Sequence, residues 1–142
     1  MGEKENEQTI RMMVAAVSAR DHELFFSLFS DDVVFKGFGN PDGHGKAALK
    51  ALQDRLYETF PNRREEVEWL LAKDEWVVAR IRVSGTNTGR LWGVLPPTGK
   101  RAEFVVNDIY RFEDGLIREF WSEGNVLSVM QQVGMLPAAE GD

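Results

Sequence analysis

Asp108 is the residue whose type and setting point most directly to chemistry. Ala102, Phe104, Val106, Asp108, Tyr110 and Phe112 share one face of an alternating segment, and Asp108 is the only charge among them. A carboxyl group held among apolar side chains is disfavoured in its charged form, so its pKa rises toward neutrality. Such a group suits proton abstraction beside a carbonyl. Its structural alternative is an Asp satisfied by an arginine such as Arg80 or by backbone amides. Tyr110, on the same face, either donates a hydrogen bond to an enolate oxygen or ties down a strand. Thr86 and Asn87 either polarise a substrate group or organise a bend. Phe104, Val106, Trp92 and Trp121 supply apolar walls or ordinary core packing.

Other chemistries find less support. Without cysteine there is no thiolate nucleophile, thiolate metal site or disulfide framework. His22 and His44 are isolated, are not spaced as a metal pair and read as surface residues, so no metal is expected. Thr98-Gly99-Lys100 lacks the glycine five positions before Gly99 and is followed by Arg101 rather than Ser or Thr, so it is no phosphate loop. Gly37-Phe38-Gly39 has Asp42 where a dinucleotide fingerprint needs its third glycine. The net charge of −6, from 17 basic and 23 acidic residues, argues against a nucleic-acid binder. Arg90, Lys100 and Arg101 form a local basic cluster, which reads as solvated surface or as a handle for an acidic substrate or carrier.

The elements that must position Asp108 follow from periodicity. The 142 residues, 43% hydrophobic and 28% charged, fit one domain with its own core. Ile10, Met13, Val14 and Val17 predict a helix over Glu7–Ala19, and Asp21 caps a second short helix carrying Leu24, Phe25 and Leu28. Val33–Phe35 reads as a strand, and the glycine-rich 37–45 as a loop. A third helix from Lys46 groups Leu49, Leu52, Leu56 and Phe60 before Pro61 ends it. Val67, Trp69 and Leu71 begin a strand, and Val77, Ala79, Ile81 and Val83 form the inner face of the next, after a turn at 73–75. Residues 89–99 form a loop. Asp114-Gly115 marks a hairpin between the strand bearing Asp108 and Leu116–Trp121. A last helix runs from about Val126 to Val133, before Gly134. The order predicts an α+β layer: an antiparallel, strongly curved sheet with helices on one face and an internal pocket at its wide end.

Three stretches carry a family likeness: GTNTGRLWGVLPPTGKRAEF at 85–104, DIYRFEDGLIREFW at 108–121 and NVLSVMQQVG at 125–134. Together they resemble the SnoaL-like polyketide cyclases of the nuclear transport factor 2-like superfamily. The resemblance implies cone-shaped subunits around an apolar pocket, a homodimer or larger oligomer, and no cofactor. Two positions depart from the family pattern. Asn87 stands where GTHTG carries an imidazole. Asn125 stands where the cyclases carry an acid, four residues after the tryptophan at Trp121. An amide cannot accept a proton near neutral pH, so Asn125 reads as a helix cap or as a pocket amide orienting a substrate carbonyl. Glu123 is a substitute acid or a solvent-facing strand end.

Three functional readings stand together. In the first, a cofactor-free enzyme acts on a small, largely apolar carbonyl or polyketide-like compound. Asp108 is its acid/base, Tyr110 and Asn87 its polar guides, and Phe104, Trp92 and Trp121 its walls. In the second, the pocket binds without catalysis. In the third, Asp108 activates water for a hydroxylase-like or epoxide-opening reaction. The partners expected are an apolar small molecule and a second copy of the chain, with Trp76, Val78, Arg80 and Arg82 on an outer, interface-forming strand face. The polar, acidic N-terminus lacks secretory features, and no apolar run approaches ~20 residues. The expected address is therefore the cytoplasm, with no membrane partner.

Overall fold

Apolar spacing decides where the chain is helical in the computed structural model, which describes residues 2–138. Ile10, Met13, Val14 and Val17 are all buried along helix α1 (Glu3–Ala19). This helix starts earlier than Glu7 because the Glu5 carboxylate accepts from the Gly2 amide at 3.1 Å and completes the first turn. Asp21 caps α2 (His22–Ser27), its Oδ1 accepting from the Leu24 amide at 3.1 Å. Helix α3 (Lys46–Thr59) buries Leu49 and Leu52 and stops before Pro61. Helix α4 (Val126–Gln132) buries Val129 and, just past its end, Val133.

The strands are β1 (Phe29–Gly37), β2 (Asn40–His44), β3 (Arg64–Lys73), β4 (Trp76–Thr86), β5 (Arg101–Glu113) and β6 (Leu116–Gly124). They form one open sheet in the order β2-β1-β6-β5-β4-β3. Alternation works as expected in its centre. Val77, Ala79, Ile81 and Val83 of β4 are buried beside Ala102, Phe104, Val106, Asp108, Tyr110 and Phe112 of β5, with Ala79 opposite Asp108. The helices cover this inner face: α1 packs on β3 and β4, α4 on β5, and α3 on β1 and β2.

Three features differ from the expectation. Residues 40–44 are not loop but edge strand β2, paired with β1 through Val34 opposite His44 and Phe35 opposite Gly43. Pro41 is tolerated because an edge strand leaves amides unpaired anyway. Gly43 is required because the Phe35 ring lies on it; a Cβ there would sit 2.0 Å from Phe35 Cζ. The sheet is also not wholly antiparallel. β1 runs parallel to β6, with Phe35 opposite Phe120, since a long connection rather than a tight turn joins them. Finally, two bulges shift the side-chain phase. Between Val67 and Trp69 the register against β4 slips by one, so Leu70 is buried while Trp69 and Leu71 face outward. The register of β5 against β6 slips around Arg118, between Ile117 and Glu119.

Candidate active site

The inner face of β5 and β6, the helices and the connecting loops enclose a cavity of about 110 Å³. Its wall is dominated by aromatic and aliphatic groups. Phe35 stacks on Phe120 with ring centroids 5.2 Å apart, and Phe38 on Phe104 at 5.3 Å. On the solvent side, half-buried Trp92 donates its indole N–H to the Phe38 carbonyl at 3.4 Å, joining the 89–99 loop to the β1–β2 turn. Phe38 and Trp92 both hold positive φ, 53° and 51°. Backbone conformations of that kind are sparsely populated by non-glycine residues.

Asp108 lines this cavity and is 8% exposed. Its Oδ2 accepts from the Tyr110 hydroxyl at 2.7 Å, whereas Oδ1 has no hydrogen-bond partner among the described residues. Burial pushes the carboxyl pKa up to about 7. Ser122, its cross-strand neighbour, and Tyr110 pull the pKa back, and the charge of Glu65 raises it. Burial also holds the Tyr110 phenol well above its usual range, reinforced by the adjacent Asp108. Tyr110 therefore stays protonated, and its one hydrogen is committed to Asp108. Arg80 is no partner of Asp108: it lies on the opposite face, its Nε 3.3 Å from Glu68.

The other candidates divide. Phe104, Val106 and Trp92 line the cavity with Asp108 and Tyr110. Asn87, Trp121 and Asn125 do not. Asn87 is fully buried, yet its Nδ2 donates to the Gly89 carbonyl at 2.8 Å and its Oδ1 accepts from the Thr98 amide and hydroxyl at 3.1 Å. Its side chain is consumed in shaping the loop. Trp121 stacks on Trp76 of the outer face at 6.1 Å, because the slip at Arg118 turns Phe120 and Ser122 inward instead. Asn125 is exposed and caps α4, accepting from the Ser128 amide at 2.9 Å.

The sequence reading missed a second polar group in the same wall. Arg63, immediately before β3, is 2% exposed and lines the cavity with Gln53 and Glu65. Its Nη2 donates to Gln53 Oε1 at 2.7 Å, its Nε lies 3.2 Å from Glu65 Oε2, and its guanidinium lies 4.5 Å from the Tyr57 ring centroid. Burial raises the pKa of Glu65, and Arg63 opposes that rise.

The family model for SnoaL-like polyketide cyclase matches residues 7–133. The chain belongs to this family. Among solved structures it is similar to AclR, a candidate hydroxylase from Streptomyces galilaeus, at 27% identity and TM-score 0.84, over 98% of this chain and 87% of that one. It is similar to IdmH, a candidate polyketide cyclase from Streptomyces antibioticus, at 24% identity and TM-score 0.77, over 90% and 97%. An LEH-like epoxide hydrolase from M. tuberculosis shares the fold at 15% identity and TM-score 0.73, over 92% and 90%. No curated protein sequence matches the chain. The open six-stranded sheet packed against helices is the α+β fold of nuclear transport factor 2-like type that the sequence resemblance implied.

Proposed function

We propose that this SnoaL-like protein is a cofactor-independent enzyme that moves a proton beside the carbonyl of a small, largely apolar compound, with Asp108 as the acid/base. The observation that carries this reading is Asp108 itself. It is a buried carboxyl with one oxygen fixed by Tyr110 and the other without a partner among the described residues, in a largely apolar cavity. A pKa of about 7 leaves both protonation states populated near neutrality, which an acid/base needs in order to take and return a proton.

In the reaction, ionised Oδ1 takes the proton from the carbon next to the carbonyl. The C–H electron pair passes into the carbonyl group, giving an enolate. Where a C=C adjoins that carbon, the anion is a dienolate, and return of the proton from Asp108 to the far end of the C=C shifts the double bond into conjugation and completes an isomerisation. Alternatively, the enolate carbon attacks a second carbonyl of the same molecule, forming the ring C–C bond, and Asp108 gives its proton to the new alkoxide. Tyr110 acts as a positioning residue, since its hydrogen is already donated to Oδ2. A cavity of about 110 Å³ is of the order of one that accepts a single aromatic ring (~150 Å³), so a one-ring compound is the natural size.

The test is exchange of the α-hydrogens of cyclohexyl methyl ketone into deuterated water. Asp108→Asn should slow enzyme-dependent exchange by ~10²–10⁴-fold while binding of the ketone persists, because the amide cannot accept the proton. A variant that exchanges as fast as the parent would make the cavity a binding site only.

We also infer a homodimer formed through the outer sheet face. Trp69, Leu71, Trp76 and Ile109 are exposed there, at 47%, 66%, 36% and 40%. An apolar, tryptophan-containing patch of this kind is what interface cores use.

A further inference from the structure

Arg63 is the polar group that the acid/base role leaves unused. A guanidinium has five N–H donors and cannot shed its charge. Here Nη2 is bound to Gln53, Nε lies 3.2 Å from Glu65 Oε2 as an ion pair without an aligned hydrogen bond, and one face of the group lies near Tyr57. The backbone is fixed as well, since Arg20 Nη1 donates to the Arg63 carbonyl at 2.9 Å. Nη1 has no acceptor among the described residues, although the side chain is only 3% exposed. Buried donors without partners are rare and costly, and this one belongs to a side chain that lines the cavity.

We propose that Arg63 Nη1 receives a second oxygen of the substrate, so that the cavity takes an uncharged dicarbonyl compound with one oxygen on Arg63 and its acidic carbon at Asp108. This rests on the reading of Asp108 as acid/base and adds the substrate class to it. The oxygen is a neutral carbonyl rather than a carboxylate for a reason of charge. Glu65 already pairs with Arg63, and Asp108 lines the same wall, so an anionic ligand would be a third carboxylate facing one cation. A carbonyl enters uncharged and becomes negative only as the proton leaves. When two carbonyls flank the acidic carbon, the departing C–H pair spreads over both oxygens, and the share on the second falls at Arg63. The guanidinium thus binds the enolate more strongly than the starting ketone, which is the differential that accelerates a reaction.

The probes are 2-acetylcyclohexanone and cyclohexyl methyl ketone, which differ chiefly by one carbonyl oxygen, titrated calorimetrically. The parent protein should bind the diketone at least tenfold more tightly. Arg63→Met should reduce that preference below threefold while leaving monoketone affinity within threefold. Equal affinities in the parent, or a preference that survives Arg63→Met, would overturn the proposal. If Arg63→Met does not fold, arginine-¹⁵N-labelled parent protein decides. The Arg63 guanidinium resonances should shift with the diketone and not with the monoketone, and no shift at saturation overturns it. Repeating the titrations on Asp108→Asn separates the two readings: a retained diketone preference with lost exchange supports both. A retained preference with undiminished exchange sustains Arg63 and removes Asp108.

Discussion

Strand β5 presents two faces that treat charge in opposite ways. On its inner face Asp108 is buried, with the Tyr110 hydroxyl as donor and no cation paired with it among the described residues. On its outer face the charges form a ladder with neighbouring strands. Arg82 lies 2.7 Å from Glu68 and 3.1 Å from Glu103, Arg80 3.3 Å from Glu68, and Arg101 3.3 Å from Glu103. The outer pairs are solvated, so forming or losing one changes little. The inner carboxyl has no such cushion, and its setting costs stability in exchange for a pKa that chemistry can use. One strand therefore separates a buried, unpaired carboxyl from solvated ion pairs on its opposite face.

The largest effect that would break this contrast concerns pH. The folded-state pKa of Asp108, about 7, stands above its ordinary value of 3.8. The folded protein thus retains a proton that the unfolded chain has lost, so stability from this group is present in full below about pH 4. It declines as pH rises toward 7 and stays low above. A shift of that size corresponds to an upper bound of ~4 kcal/mol. Asp108→Asn should match the parent near pH 4 and exceed it at pH 8, as read by denaturant unfolding at the two values. Burial raises Glu65 in the same direction, so some pH dependence should persist in the variant. A variant weaker than the parent at pH 8 would mean that Asp108 is a paired structural charge after all.

How much of this was legible beforehand depended on whether the controlling contacts are local. Alternation in β4 and β5, the helical faces, and the caps at Asp21 and Asn125 are written in neighbouring residues, and they placed Asp108 and Tyr110 together. Trp121 was misplaced because the slip around Arg118 is set by pairing with β5, not by β6's own pattern. Asn87 looked like a pocket amide because its true partner, Thr98, lies eleven residues away across a loop. Arg63 sits in the run Asn62-Arg63-Arg64-Glu65-Glu66, which reads as solvated charge. Only Gln53 and Tyr57 from α3, and the β3 face it shares with Glu65, explain its burial. The spacing of Arg63 and Glu65, two apart in the extended run entering β3, was the available signal.

A smaller effect sharpens the outer side of the comparison. Trp76→Glu puts a charge into the exposed apolar patch while leaving the inner face untouched. If the homodimer forms there, sedimentation equilibrium should show association weakened by at least ~tenfold, a loss typical of an interfacial tryptophan. Exchange of the monoketone probe should stay near the parent rate per subunit. A parent protein that sediments as a monomer at micromolar concentration removes the dimer.

The smallest effect belongs to the ladder itself. Arg82 is 45% exposed and touches two carboxylates, so its removal looks severe on a contact map. Solvent and salt screen such pairs, and ordering the long side chain offsets part of their attraction. Arg82→Ala should therefore cost less than ~1 kcal/mol at low salt and approach zero at high salt. Its effect on association should also be slight if the homodimer forms through exposed Trp69, Leu71, Trp76 and Ile109, since charged residues then occupy the interface rim. A loss well beyond 1 kcal/mol that salt does not reduce would place Arg82 in a desolvated contact. The dimer would then be centred on the ladder, and the outer face would hold charge under the same constraint as the inner one.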